Sequence, residues 1–220
     1  MTTHRPILST GGIYHIFNRS IAKEYIFDNN ILKKMIDIVD FYRYQNTIKY
    51  SNFLIMSASM KSEYLKTIKK VQPLVEIYSF CFMPNHYHFL IRQLADKGIS
   101  LFISNIQNSY AKYFNLYNKR HGSVFQTGYK SKMITNNSEF IHVGRYIHLN
   151  PVTSKSITFN QLKTYPFTSF SWYLNCKLNR FISVDKFLNN FKNIDSFIKF
   201  HSDQINYQIV LKQIKDLLFE

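Results

Sequence analysis

Two histidines, His86 and His88, sit one bulky residue apart in the otherwise apolar run from Tyr78 to Arg92, YSFCFMPNHYHFLIR. Such a run reads as a strand. Strand side chains alternate between faces, so both imidazoles point the same way, roughly 7 Å apart. Two imidazoles at that spacing can hold one divalent cation: a transition metal, or Mg2+ or Mn2+ when oxygen ligands complete the shell. Two histidines satisfied within a sheet fit the same pattern. The apolar flanks favour the functional reading, because a central strand has little other reason to carry them.

A second group follows in Arg145-Tyr-Ile-His-Leu-Asn-Pro151. Tyr146 and Asn150 are four residues apart, which on a helix puts them on one face, one turn apart. The phenol and the amide carbonyl then address the same point, the carbonyl as a metal ligand and the phenol as a nucleophile. Phe140, Val143 and Ile147 are spaced to anchor this helix on a sheet, and from spacing alone Tyr146 also reads as a packed tyrosine. His148, two residues on, faces away. Tyr87 lies on the opposite strand face from the histidines, and Tyr110, Tyr113 and Tyr117 fall on an apolar helix face and read as core. The cations that could meet a phosphate backbone are Arg19, Lys119, Arg120, Lys130, Lys132 and Arg145. An ordinary solvated face accounts for the same charges.

These residues must be positioned by a chain of 220 residues, long enough for one good-sized domain or a domain with an appendage. Hydrophobic content of 45% supplies a core, and the net charge of +15 favours a polyanionic partner, above all nucleic acid. Cys81 and Cys176 have no metal-site spacing and imply no disulfide framework, which suits a reducing, cytoplasmic setting. The N-terminus lacks the apolar core of a signal peptide, and no stretch approaches the ~20 apolar residues of a membrane span.

Periodicity predicts a strand over 13–18, a helix over 29–45, strands over 75–83 and 86–93 joined by a Pro84-Asn85 turn, a helix over 100–118 closed at Gly122, a strand over 124–134, and a helix over 138–150 ended by Pro151. Residues 48–70 are ambiguous, with Phe53–Met56 a candidate short strand. Residues 152–182 read as irregular structure with aromatic anchors, and 183–220 as helical. The order of elements predicts an α+β fold: a ferredoxin-like antiparallel sheet with helices on one face, plus a C-terminal helical extension. The expected division is 1–152 for the domain that carries both residue groups and 153–220 for the wrapping segment and extension.

The pairing of Met83-Pro-Asn-His-Tyr-His-Phe-Leu90 with Arg145-Tyr-Ile-His-Leu-Asn-Pro-Val152 resembles the single-tyrosine transposases of the His-hydrophobic-His (HUH) nuclease superfamily, and most of all the REP-associated tyrosine transposases. The similarity extends to Tyr14-His15-Ile-Phe-Asn-Arg19, to Tyr113-Phe-Asn115 with Gly122-Ser-Val-Phe-Gln126, and to Tyr165–Tyr173. The resemblance implies a ferredoxin-like core that cuts single-stranded DNA near hairpins. His86 and His88 would be ligands of Mg2+ or Mn2+, with Asn150 helping to hold the metal. Tyr146 would be the nucleophile that forms a 5′-phosphotyrosine link, and the chain would act as a monomer or a homodimer. One departure stands out: Gly128 precedes Tyr129-Lys130 where the family usually carries an arginine. Two other readings remain, a non-catalytic nucleic-acid-binding module and a metallohydrolase that uses water. The second needs a nearby carboxylate, and between residues 80 and 135 the only one is Asp96.

Overall fold

The computed structural model describes residues 7–210. Four strands, β1 (Ile13–Arg19), β2 (Val75–Met83), β3 (His86–Gln93) and β4 (Lys130–Ile134), form one antiparallel sheet in the order β2-β3-β1-β4. With α1 (Asn29–Tyr42) between β1 and β2 and α4 (Gly98–Tyr117) between β3 and β4, this is the expected ferredoxin-like order. Between α1 and β2 the chain adds α2 (Tyr50–Ile55) and α3 (Ala58–Ile68). Phe53 is therefore helical, and it packs on Phe41, Tyr50 and Tyr64 in a small aromatic cluster.

Strand alternation divides the sheet into two chemically different faces. On one, Tyr87 meets Gln107 of α4 (2.8 Å) and Phe89 packs on Phe102. Helix α1 packs beside α4 there, through contacts such as Lys34 over Tyr113. On the other face stand His15, Phe17, His86 and His88, and α5 (Asn137–Thr153) covers it. The expectation of helices on one face holds for α1 and α4 but not for α5. The sheet is central, and both faces must be covered.

Several boundaries differ from the sequence reading, and three are instructive. The strand expected over 124–134 is regular only from Lys130, because Gly128 takes a positive φ of 78° and Phe125 turns in against Phe27, Tyr87 and Tyr110. Helix α4 stops at Tyr117, before Gly122: Lys119 takes the left-handed conformation and Asn118 Nδ2 donates to the Phe114 carbonyl. Helix α5 does not end at Pro151. It runs on to Thr153, where Thr153 Oγ1 and the Ser154 N–H both donate to the Asn150 carbonyl. Proline lacks an N–H, which costs one helical bond and leaves the neighbouring ones in place.

After α5 come α6 (Phe159–Leu162), α7 (Phe170–Leu174), α8 (Asp185–Leu188) and α9 (Ile194–Ser202). The segment around α7 seals the β2 edge, with the Phe82 N–H on the Phe167 carbonyl and the Ser183 N–H on the Ile77 carbonyl. The helical reading of 183–220 becomes two short helices, α8 and α9, and a further helical stretch over 205–210, and its last ten residues lie outside those described.

Candidate active site

The sheet builds the site row by row. In one cross-strand row Lys130, Phe17, His88 and Cys81 stand side by side; in the next, Lys132, His15, Leu90 and Ser79; at the strand ends, Arg19, His86 and Met83. Residues paired directly across an antiparallel sheet share a face. His86, His88, His15, Arg19, Lys130 and Lys132 are therefore all on the α5 side. The rings of His86 and His88 lie 5.1 Å apart at nearly a right angle.

Each candidate ligand is oriented by a neighbour. Asn85 Oδ1 lies 2.6 Å from His86 Nδ1 and accepts its proton, which leaves Nε2 as the basic nitrogen. His88 Nδ1 lies 3.0 Å from His15 Nε2, and the two rings stack. A metal-binding histidine characteristically has its second nitrogen held in this way. Sequence reasoning did not single out His15 as a site residue. Its signal was the register: only the β1–β3 pairing brings it beside His88.

From α5 the Tyr146 ring meets the His88 ring edge-on at 5.7 Å and the His15 ring at 6.0 Å. The side chain is 38% exposed, so a ligand in solvent can reach it. Asn150, one turn on, is buried, and its Nδ2 donates to the Tyr146 carbonyl at 3.0 Å. That bond fixes the amide and leaves Oδ1 as its donor atom for a cation. Among the described residues, no group of three His, Cys, Asp or Glu side chains is arranged to hold a metal. The candidate set is two imidazoles and one amide oxygen. Its chemistry fits a divalent cation whose remaining positions are filled by water or phosphate oxygens.

The proposed phosphate-contacting cations divide into two groups. Arg19, Lys130 and Lys132 flank the histidines, with Lys132 also 3.4 Å from Glu139. Hydrogen bonds from the Thr135 N–H and hydroxyl, and then Lys132, hold the Glu139 carboxyl below its usual range. Arg120 pairs with Glu24 and lies over Phe114, while Lys119 is in the turn after α4. Arg145 is buried: its guanidinium donates to the Phe200 carbonyl at 3.1 Å, lies over the Phe200 ring and contacts His142 Nδ1. Burial lowers its pKa and, first among the causes, that of His142.

The competing tyrosines are otherwise engaged. Tyr87 and Tyr110 are fully buried, and desolvation pushes both phenols far up. Tyr117, the last residue of α4, is exposed and not core, and its ring stacks on Tyr113. His148 does face away from the Tyr146 side, into the interior.

Residues 43–150 match the family described as Transposase IS200 like, a span that includes His86, His88, Tyr146 and Asn150. None of the curated proteins matches the chain. Among solved structures, a REP-associated tyrosine transposase bound to a REP hairpin aligns over 82% of this chain and 89% of its own, at 17% identity and a TM-score of 0.53. A candidate transposase from Deinococcus radiodurans R1 covers 67% of this chain and 95% of its own at 12% identity, with a TM-score of 0.37, too loose to argue from.

Proposed function

This chain belongs, through residues 43–150, to the IS200-like transposase family, and from that premise we propose that it cuts and rejoins single-stranded DNA at a hairpin, with Tyr146 as nucleophile. The observation that carries the reading is the Tyr146 ring set 5.7 Å from the His88 ring of its own chain. Nucleophile and candidate ligands meet without a second subunit, which supports a site complete in one protomer.

Tyr146 Oη attacks the scissile phosphorus, the P–O3′ bond breaks, and the 3′-oxygen leaves as a hydroxyl. The phenolic proton is given up and the leaving oxygen takes one on, so the step balances. A 5′-phosphotyrosine link stores the phosphodiester energy, and a 3′-hydroxyl from another strand can reverse the step and join DNA. His86, His88 and Asn150 would hold Mg2+ or Mn2+, which when bound polarises a phosphate oxygen and stabilises charge developing there. Asn85 and His15 hold the imidazoles in the required orientation. Arg19, Lys130 and Lys132 line the same face and offer charge to the flanking phosphates. The solved REP-associated relative is bound to a REP hairpin, which supports hairpin DNA as the substrate class here.

The test is a denaturing gel with end-labelled hairpin oligonucleotides and Mn2+ or Mg2+, wild type beside Tyr146→Phe. The expected result is label from the 3′ side of the cut carried by protein, lost in Tyr146→Phe and on chelation. Free cleaved product that persists in Tyr146→Phe assigns the attack to water. Tight binding with no cleavage assigns the chain to non-catalytic DNA binding. Either outcome overturns the proposal.

A further inference from the structure

A polar chain crosses the otherwise aromatic interior behind α5. Ser169 Oγ lies 2.9 Å from the Phe80 N–H of β2 and 2.8 Å from His148 Nε2. His148 Nδ1 lies 2.9 Å from His201 Nε2, and His201 Nδ1 lies 2.8 Å from the Phe197 carbonyl. Ser169, His148 and His201 are all fully buried.

The proton positions follow from the ends of the chain. A carbonyl only accepts, so His201 Nδ1 carries a proton and His201 Nε2 is an acceptor. His148 must then donate from Nδ1, and its Nε2 accepts the Ser169 hydroxyl proton at 2.8 Å in preference to the Phe80 carbonyl, which lies farther off at 3.3 Å. The Phe80 N–H donates to Ser169 Oγ. Each of these links has one donor and one acceptor, provided both rings are neutral and protonated on Nδ1. Burial pushes His201 down to about 3 and His148 well below its ordinary value, in keeping with two neutral rings.

The chain meets α5 on the side turned away from the site. At about 100° per residue, His148 and Gly144 lie opposite Tyr146. The same side is held by Arg145 on the Phe200 carbonyl and by Phe187, whose ring would be 2.1 Å from a Cβ added at Gly144. Aromatic packing alone tolerates rotation and sliding. A buried donor–acceptor chain does not, because a turn of the helix leaves polar groups unpaired in the interior.

We propose that His201 is a positioning residue: through His148 it fixes the rotational setting of α5 and thereby aims Tyr146 at the histidine pair. The inference rests on Tyr146 being the nucleophile. It gives the α7–α9 region a part in the reaction without contact with DNA.

The experiment compares wild type, His201→Leu, His201→Gln and Ser169→Ala in the full chain. Hairpin affinity and the single-turnover rate of covalent adduct formation are measured separately, alongside thermal melting. Glutamine can accept the His148 proton through its side-chain carbonyl; leucine cannot. His201→Leu is expected to bind the hairpin within about twofold of wild type and to form adduct at least about tenfold more slowly, since misplacement of about 1 Å costs that much or more. His201→Gln is expected to recover most of the rate, and Ser169→Ala to slow the adduct in the same direction. In nitrogen-15 histidine spectra of the wild type, both rings should be of the Nδ1–H form.

A folded His201→Leu that forms adduct at the wild-type rate overturns the proposal. So does an equal loss of binding and rate that glutamine does not repair, which marks a purely structural residue. If His201→Leu fails to fold, Ser169→Ala and the tautomer spectrum decide, and Nε2–H rings or an unchanged rate count against it. Wild type that forms no adduct at all defeats the nucleophile assignment and this inference with it, an outcome distinct from adduct formation that is indifferent to His201.

Discussion

His15 shows how much a single register decides. A His-x-His pair is legible in any sequence that contains one, because the two residues are adjacent and the period of a strand is fixed. The histidine that buttresses the pair is 73 residues from His88 and joins it only through the β1–β3 ladder. Tyr146 and Asn150 were legible for the same reason as the pair, a fixed period within one element. Arg145 was not: its sequence neighbourhood suggests a phosphate contact, whereas its guanidinium lies on the Phe200 carbonyl and ring. At this scale His15→Ala is the informative change. Loss of the partner that orients His88 is expected to weaken Mn2+ binding by about 10- to 100-fold, the usual cost of removing such a support. Titration of the metal into protein without DNA measures it, and unchanged affinity would remove His15 from the site.

Helix α5 carries both the proposed nucleophile and the residues that anchor it, on opposite sides. Its central apolar spacing was readable, and so was its start, where Asn136 accepts the Glu139 N–H. Its end was not, since the proline at 151 forbids one bond and not a further turn. Its back face was illegible because the partners lie more than 20 residues downstream, in segments with little pattern of their own. Gly144 records that packing: its missing side chain admits the Phe187 ring. Gly144→Ala is expected to force the buried ring aside and to destabilise the fold by about 1–3 kcal/mol, as overpacking does. A lower melting temperature by calorimetry checks it, and an unchanged or raised one would show that Phe187 moves freely.

Across the whole molecule, the βαββαβ order was readable because each strand and long helix declares its own period, and that order fixes a four-stranded topology. The covering of the second face was not readable, since it depends on where α5 comes to rest. The buried histidines make the fold sensitive to acid. His201 has an ordinary value of 6.5 and a folded value of about 3, so between these limits the unfolded chain binds a proton that the folded chain refuses. The stabilisation is complete above pH 6.5 and is lost as pH falls toward 3, at up to about 1.4 kcal/mol per pH unit from this ring. Denaturant melts at about pH 7 and about pH 5, on either side of that ordinary value, should differ in that sense for wild type, and His201→Gln should flatten the slope. A slope equal in the two proteins would mean that His201 is charged in the fold.

The two edges of the sheet are treated differently. The segment around α7 lies along β2, whereas β4 is the last strand on its side, five residues long, with Lys130 and Lys132 in the rows of His88 and His15. Short length and lysine are what keep an open strand from recruiting another chain. The lysines proposed to meet DNA thus also guard the edge against association. A variant stripped of them by apolar substitution would lose DNA affinity and invite strand-to-strand association together, and a fall in activity there could reflect clumped protein as much as a missing contact. Glutamine at both positions separates the two effects, because it removes charge without making the edge greasy.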